Sequence, residues 1–173
     1  MSEFHFEIRQ LEPSDQAFLW EMLHIALWDP PPAPLRPRAI LDHPRIACLA
    51  ENWGGGLSDL GFVAALPDGT PIGAVWSRLL QPDQGGSYVD AETPQIGIAV
   101  LPDYHNRGVG TALLQHYLHA ASEQYKAVTL SVHPENHARF VYEKCGFVRY
   151  GTGAGNYWQM ICRFTPDSGP TTA

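Results

Sequence analysis

The chain has 173 residues, enough for one domain with its own core when domains commonly hold about 100–200 residues. Hydrophobic residues make up 45% and charged residues 17%, which excludes a disordered, collagenous or coiled-coil chain. A formal net charge of −7 argues against a sequence-independent grip on nucleic acid or an anionic membrane surface, and mildly favours a cationic small molecule as partner.

Phe4, Phe6 and Ile8 alternate with His5, Glu7 and Arg9, the period of a half-buried strand. Pro13, Ser14 and Asp15 then offer a cap, and Phe18, Leu19, Met22, Leu23, Ala26 and Leu27 recur at helical spacing up to Trp28. Asp29 to Pro37, DPPPAPLRP, ends that helix and reads as a stiff loop rather than a polyproline ligand for an SH3-like partner. From Arg38 to Asn52 the pattern is weakly helical and divided by Pro44, and WGGGLSD is a flexible connection; nothing diagnostic covers residues 29–58.

Leu60 to Leu66 and Ile72 to Leu79 flank an Asp-Gly turn and predict a hairpin. After QPDQGGS a longer strand is expected from Tyr88 to Val100, where Gly97 marks a bulge or a close approach to the backbone. Gly108 to Tyr125 carries the strongest helical stripe, and Ala127 to Val132 reads as a buried strand. A helix follows over Asn136 to Lys144, stopped by Gly146. Phe147 to Tyr150 and Tyr157 to Phe164 read as strands around GTGAG. Residues 1–165 are expected to form a single α+β domain, with helices flanking a mostly antiparallel sheet, and residues 166–173 a disordered tail.

Cys48, Cys145 and Cys162 are too few and too scattered for a disulfide framework, and no spacing suggests a metal site. Neither a signal peptide at the start nor an 18-residue apolar run is visible, so the expected location is cytoplasmic, with no membrane partner.

The chemistry concentrates in IGIAVLPDYHNRGVGTALL, from Ile96 to Leu114: strand, proline turn, glycine-rich loop, helix. Unpaired N–H groups at a helix start attract anions, Gly108 and Gly110 let a pyrophosphate come close, and Arg107 supplies a local cation. The spacing fits neither a Walker loop nor a dinucleotide fingerprint.

With HNRGVG in that position and LSVHPENHARFVYEKCGF downstream, the sequence resembles the GNAT superfamily of acyl-CoA-dependent N-acetyltransferases. His105 stands where the family motif usually has Gln or Arg. The resemblance implies acetyl-CoA as cofactor, an amine-bearing acceptor, and room for a homodimer. It implies further that Ile98, Ala99 and Val100 present backbone groups to the pantetheine arm and that Asn106, Arg107, Gly108, Val109, Gly110 and Thr111 wrap the pyrophosphate. Asn136 would hydrogen-bond the arm and Tyr142 would face the sulfur. As a core aromatic, Tyr142 has a plainer reading, and Asn136 another as an N-cap. Gln95 stands where many family members carry a strand glutamate. A water relay held by Gln95 and draining to solvent or to Glu92 is the expected route for the amine proton. The alternative function is a non-catalytic acyl-CoA-binding sensor of the same fold.

Overall fold

Residues 4–165 are described by a computed structural model, in which seven strands form one sheet in the order β1-β2-β3-β4-β5-β7-β6. These are β1 (Glu7–Gln10), β2 (Leu60–Ala65), β3 (Pro71–Arg78), β4 (Gln95–Val100), β5 (Ala127–Val132), β6 (Val148–Thr152) and β7 (Trp158–Arg163). All neighbours run antiparallel except β4 and β5. The helices are α1 (Gln16–Ala26), α2 (Pro44–Ala47), α3 (Val109–Ser122) and α4 (Ala138–Lys144). This is the expected α+β arrangement of helices on a mostly antiparallel sheet. The tail expected over residues 166–173 lies outside the described residues.

The two sheet faces bury separate clusters. On one, α3 sets Val109, Leu113, Leu114, Tyr117 and Ala121 against Ile72, Val75, Ile96 and Val128, the stripe its spacing predicts. On the other, Leu19, Met22 and Leu23 of α1 pack with Trp53, Val63, Trp76 and Ala99. Strand alternation explains the division, because Ile96 and Ala99 differ by an odd step.

Two strand boundaries differ from the sequence reading, each because a strand needs a partner. β1 begins at Glu7, opposite Ala65, beyond which the neighbouring chain turns through Gly69; Phe4 and Phe6 pack as a ring pair 5.8 Å apart instead. The stretch from Tyr88 to Pro94 is not strand: Asp90 accepts from the Glu92 N–H at 2.9 Å, an Asx turn, and Pro94 has no N–H to pair. No bulge occurs at Gly97. Its register with Trp76 is regular, and a Cβ there would come within 2.6 Å of the Trp76 ring, so the close approach is by an indole. The helices also start later than read, at Val109 and Ala138.

Candidate active site

The parallel pair β4 and β5 is joined at one register position, Gln95 with Thr129, and by the Thr129 N–H donating to the Pro94 carbonyl at 3.0 Å. Beyond that point the strands diverge. In an antiparallel ladder alternate residues turn both polar groups to the same neighbour. Leu101 N–H donates to Ile72 at 2.8 Å and the register pairs Ala99 with Ala74, so Gly97, Ala99 and Leu101 face β3. The polar groups of Ile98 and Val100 therefore face the gap. This corrects the expectation for Ala99, whose backbone is engaged by β3.

A cavity of about 1360 Å³ opens at this divergence. Its wall includes Val109, Gly110 and Tyr142 from one sheet face and Ile40, Leu49 and Trp76 from the other, so it passes from the α3 and α4 side to the α1 and α2 side.

At the α3 side, Gly108 holds φ +79°, and a Cβ there would meet nothing within 4 Å. A Cβ on Gly110 would touch only the Val100 side chain at 3.7 Å. The first N–H groups of α3 thus face open space, the condition for an anion. His105 closes one side: its Nε2 lies 2.8 Å from the Val100 carbonyl, which requires Nε2 to carry the proton. Asn106 adopts φ +58° and, with His105, Val109 and Thr111, lines the cavity. Arg107 does not line it; its guanidinium lies 4.9 Å from the Phe4 ring centroid and 6.0 Å from that of Tyr104.

Asn136 lies on the cavity wall. Its Oδ1 accepts from the Ala138 N–H at 2.9 Å at the start of α4, while its amide N has no partner among the described residues. Tyr142, on α4, is buried and lines the cavity; its hydroxyl also lacks a partner among the described residues. Burial pushes the Tyr142 phenol well above its usual range, so it stays a proton donor.

Gln95 lines the cavity with its Oε1 already engaged, accepting from the Gly86 and Ser87 N–H groups, each at 3.0 Å. Gln159 and Tyr150 hold the same loop by donating to the Gly86 carbonyl at 2.7 Å and the Ser87 carbonyl at 2.8 Å. Glu92 lies exposed in the preceding turn and does not line the cavity. Trp76 lines the cavity, whereas Trp53 donates to the Leu11 carbonyl at 3.1 Å in the core and Trp158 stacks on Arg139 and Arg149. Burial raises the Cys145 thiol above its usual range, away from a reactive thiolate.

Sequence reasoning missed the far wall. Trp28, His133 and Tyr157 form a ring cluster, with centroids 5.7 Å and 5.4 Å apart. Arg36 binds Asp29 through two hydrogen bonds, of 2.7 and 2.8 Å, and also donates to the Tyr157 hydroxyl, which itself donates to the Trp28 carbonyl. The one available signal was the clustering of Trp28, Asp29 and Arg36 about the proline run.

A family profile described as the acetyltransferase (GNAT) family matches residues 20–147. Among curated proteins none matches the sequence. Among solved structures, the PaiA N-acetyltransferase of Thermoplasma acidophilum in complex with coenzyme A is similar over 93% of this chain and 100% of its own, with a TM-score of 0.64 at 20% identity. The ribosomal-protein-S18-alanine N-acetyltransferase of Escherichia coli matches over 98% and 99%, with a TM-score of 0.62 at 17% identity. A GNAT family acetyltransferase of Brucella melitensis in complex with acetyl-CoA matches over 95% and 92%, with a TM-score of 0.58 at 20% identity.

Proposed function

The chain belongs to the acetyltransferase (GNAT) family, and we propose that it transfers an acetyl group from acetyl-CoA to a primary amine of a small molecule or protein, by direct attack. One observation carries the reading: the unpartnered Tyr142 hydroxyl and the gap-facing backbone of Ile98 and Val100 line the same cavity as the open start of α3.

These groups fit acetyl-CoA. The N–H groups from Asn106 to Thr111 would hold the pyrophosphate, the Ile98 and Val100 backbones would extend the β4 ladder to the amides of the arm, and the Asn136 amide would donate to it. When bound, acetyl-CoA supplies the acetyl group as an activated thioester. The Val100 N–H would donate to a carbonyl oxygen gaining charge, and the Tyr142 hydroxyl would donate to the sulfur. Gln95 keeps its amide N for a water that takes the proton of the amine. With Glu92 off the cavity wall, that water drains to solvent, and Glu92 serves at most as an exit for the proton. Residues 1–165 would act as one cytoplasmic domain.

One feature favours a non-catalytic acyl-CoA sensor as the second reading: among the described residues Glu135 is the sole carboxylate on the cavity wall, and its side chain is 71% exposed. Thermal shift with acetyl-CoA, followed by thiol release over a panel of amines, decides between the two. Transfer predicts acceptor-dependent thiol release. Tight cofactor binding with no release for any amine would establish the sensor.

A further inference from the structure

The net charge of the chain favours a cationic acceptor, yet the cavity wall does not share the acidic balance of the chain. Among the described residues it carries two arginines and four histidines against the single Glu135. The arginines do not belong to the phosphate cradle. Arg36 and Arg45 lie in the connection from α1 to β2, whose Ile40, Ile46 and Leu49 pack into the cluster on the sheet face away from α3.

The two differ in what they have left to offer. Arg36 is neutralised by its bidentate pair with Asp29. The Arg45 guanidinium makes one hydrogen bond, from Nη2 to the Gly85 carbonyl at 3.1 Å, and no ion pair among the described residues. That bond ties its guanidinium to the loop whose next two N–H groups are held by Gln95, where β4 and β5 begin to diverge. Across the cavity, His133 Nδ1 accepts from the Glu135 N–H at 3.2 Å, so its neutral ring carries the proton on Nε2 as a donor.

We propose that the acceptor carries an anionic group, carboxylate or phosphate, close to its amine, and that Arg45 pairs with that group. The inference rests on the acetyl-transfer reading. A guanidinium with an unused donor edge matches either oxyanion through paired hydrogen bonds. A diamine or polyamine would instead bring a second ammonium against Arg45 with one carboxylate on the wall to offset it, a like-charge contact that discriminates against such acceptors.

The test uses sets matched in chain length: an ω-amino acid, its carboxamide, the corresponding aminophosphonate and the diamine, with thiol release giving KM for each. The anionic members should show KM roughly ten- to a hundredfold below the carboxamide, the range for a hydrogen bond to a charged group, and the better of the two identifies the anion. Arg45→Gln should erase most of that difference and Arg45→Lys should recover part of it, with melting temperatures confirming that both variants fold. Calorimetry on the CoA-saturated protein, comparing the N-acetylated acid with its carboxamide, supplies a readout without turnover. Preference for the acid that depends on Arg45 sustains the inference even if no amine is acetylated, in which case the transfer reading is what fails. Equal binding of acid and carboxamide, preference for the diamine, or a preference unchanged in Arg45→Gln would overturn it.

Discussion

The Phe147 N–H donates to the Tyr142 carbonyl at 3.0 Å, and the two rings lie 5.9 Å apart. Gly146 makes this bond geometrically available: at φ +97° it turns the chain back over the end of α4 in a Schellman closure. The Gly-Phe pair therefore acts as the lock on the helix that presents Tyr142 to the cavity.

Because the Tyr142 ring packs on Phe147 while its hydroxyl has no partner among the described residues, Tyr142→Phe should fold and bind acetyl-CoA like the parent. It should lose roughly ten- to a hundredfold in kcat, since the missing hydrogen bond strengthens as charge reaches the sulfur. Stopped-time thiol release and calorimetry separate the two quantities. A drop in melting temperature with kcat unchanged would return Tyr142 to the role of a core aromatic.

Gly110 and Gly108 differ in a way that substitution can expose. A Cβ at Gly110 meets only the Val100 side chain at 3.7 Å, so Gly110→Ala should keep much of the affinity for CoA. Gly110→Asp adds a negative charge to the cradle and should weaken binding at least tenfold. Gly108→Ala tests the backbone instead, because φ +79° costs an L-residue about 1–2 kcal/mol. CoA titration of the three variants reads the order directly; equal affinities would reduce the loop to a turn.

The strand, loop and helix of the candidate phosphate site were legible because they lie within Ile96 to Leu114: a strand, two glycines and a helical stripe in one local register. Ala99 was misassigned because the direction of a strand's polar groups depends on its register with β3, which no local pattern carries. Likewise, Tyr88 to Pro94 reads as strand until it finds no partner. The far wall is a matter of distance along the chain: Arg36 meets Tyr157 across 121 positions, and Arg45 meets Gly85 across 40. Chain-wide charge does not describe the cavity wall for the same reason, since the carboxylates giving −7 lie almost entirely off it.

Arg36 hydrogen bonds hold the Asp29 carboxyl below its usual range. A depressed folded value means stability that is fully present above the unfolded carboxyl value, about 3.9, and lost as pH falls through the folded value. Asp29→Asn should therefore lower Tm at neutral pH, with the gap beginning to close near about pH 4 and vanishing only below the depressed folded value. The pair is partly exposed, so the neutral-pH difference should not exceed about 4 °C, as expected for ~1 kcal/mol or less in a domain of this size. Melting curves from pH 7 to the acid limit test this; a gap that widens on acidification would reverse the sign and remove the assignment.

The route of the amine proton is the last point at which the geometry constrains the chemistry. An alkyl amine with a pKa of about 10.4 is neutral in roughly one molecule in 2,500 at pH 7, so a path for deprotonation is required. Gln95 cannot titrate, and its Oε1 is held by Gly86 and Ser87, each at 3.0 Å, which leaves the amide N to hold a water. Gln95→Glu keeps an acceptor for both N–H groups and adds a base, so activity should be retained or rise, with a new ionisation in the pH profile of kcat/KM. Gln95→Leu leaves those two N–H groups without their acceptor, each at a cost of about 1–3 kcal/mol, and should lower both stability and turnover. Glu92 is exposed and off the cavity wall, so Glu92→Gln should cost less than about threefold, far from the ~100- to 10,000-fold of a general base. A loss of ~100-fold or more in Glu92→Gln, with CoA affinity intact, would make Glu92 the base and end the relay.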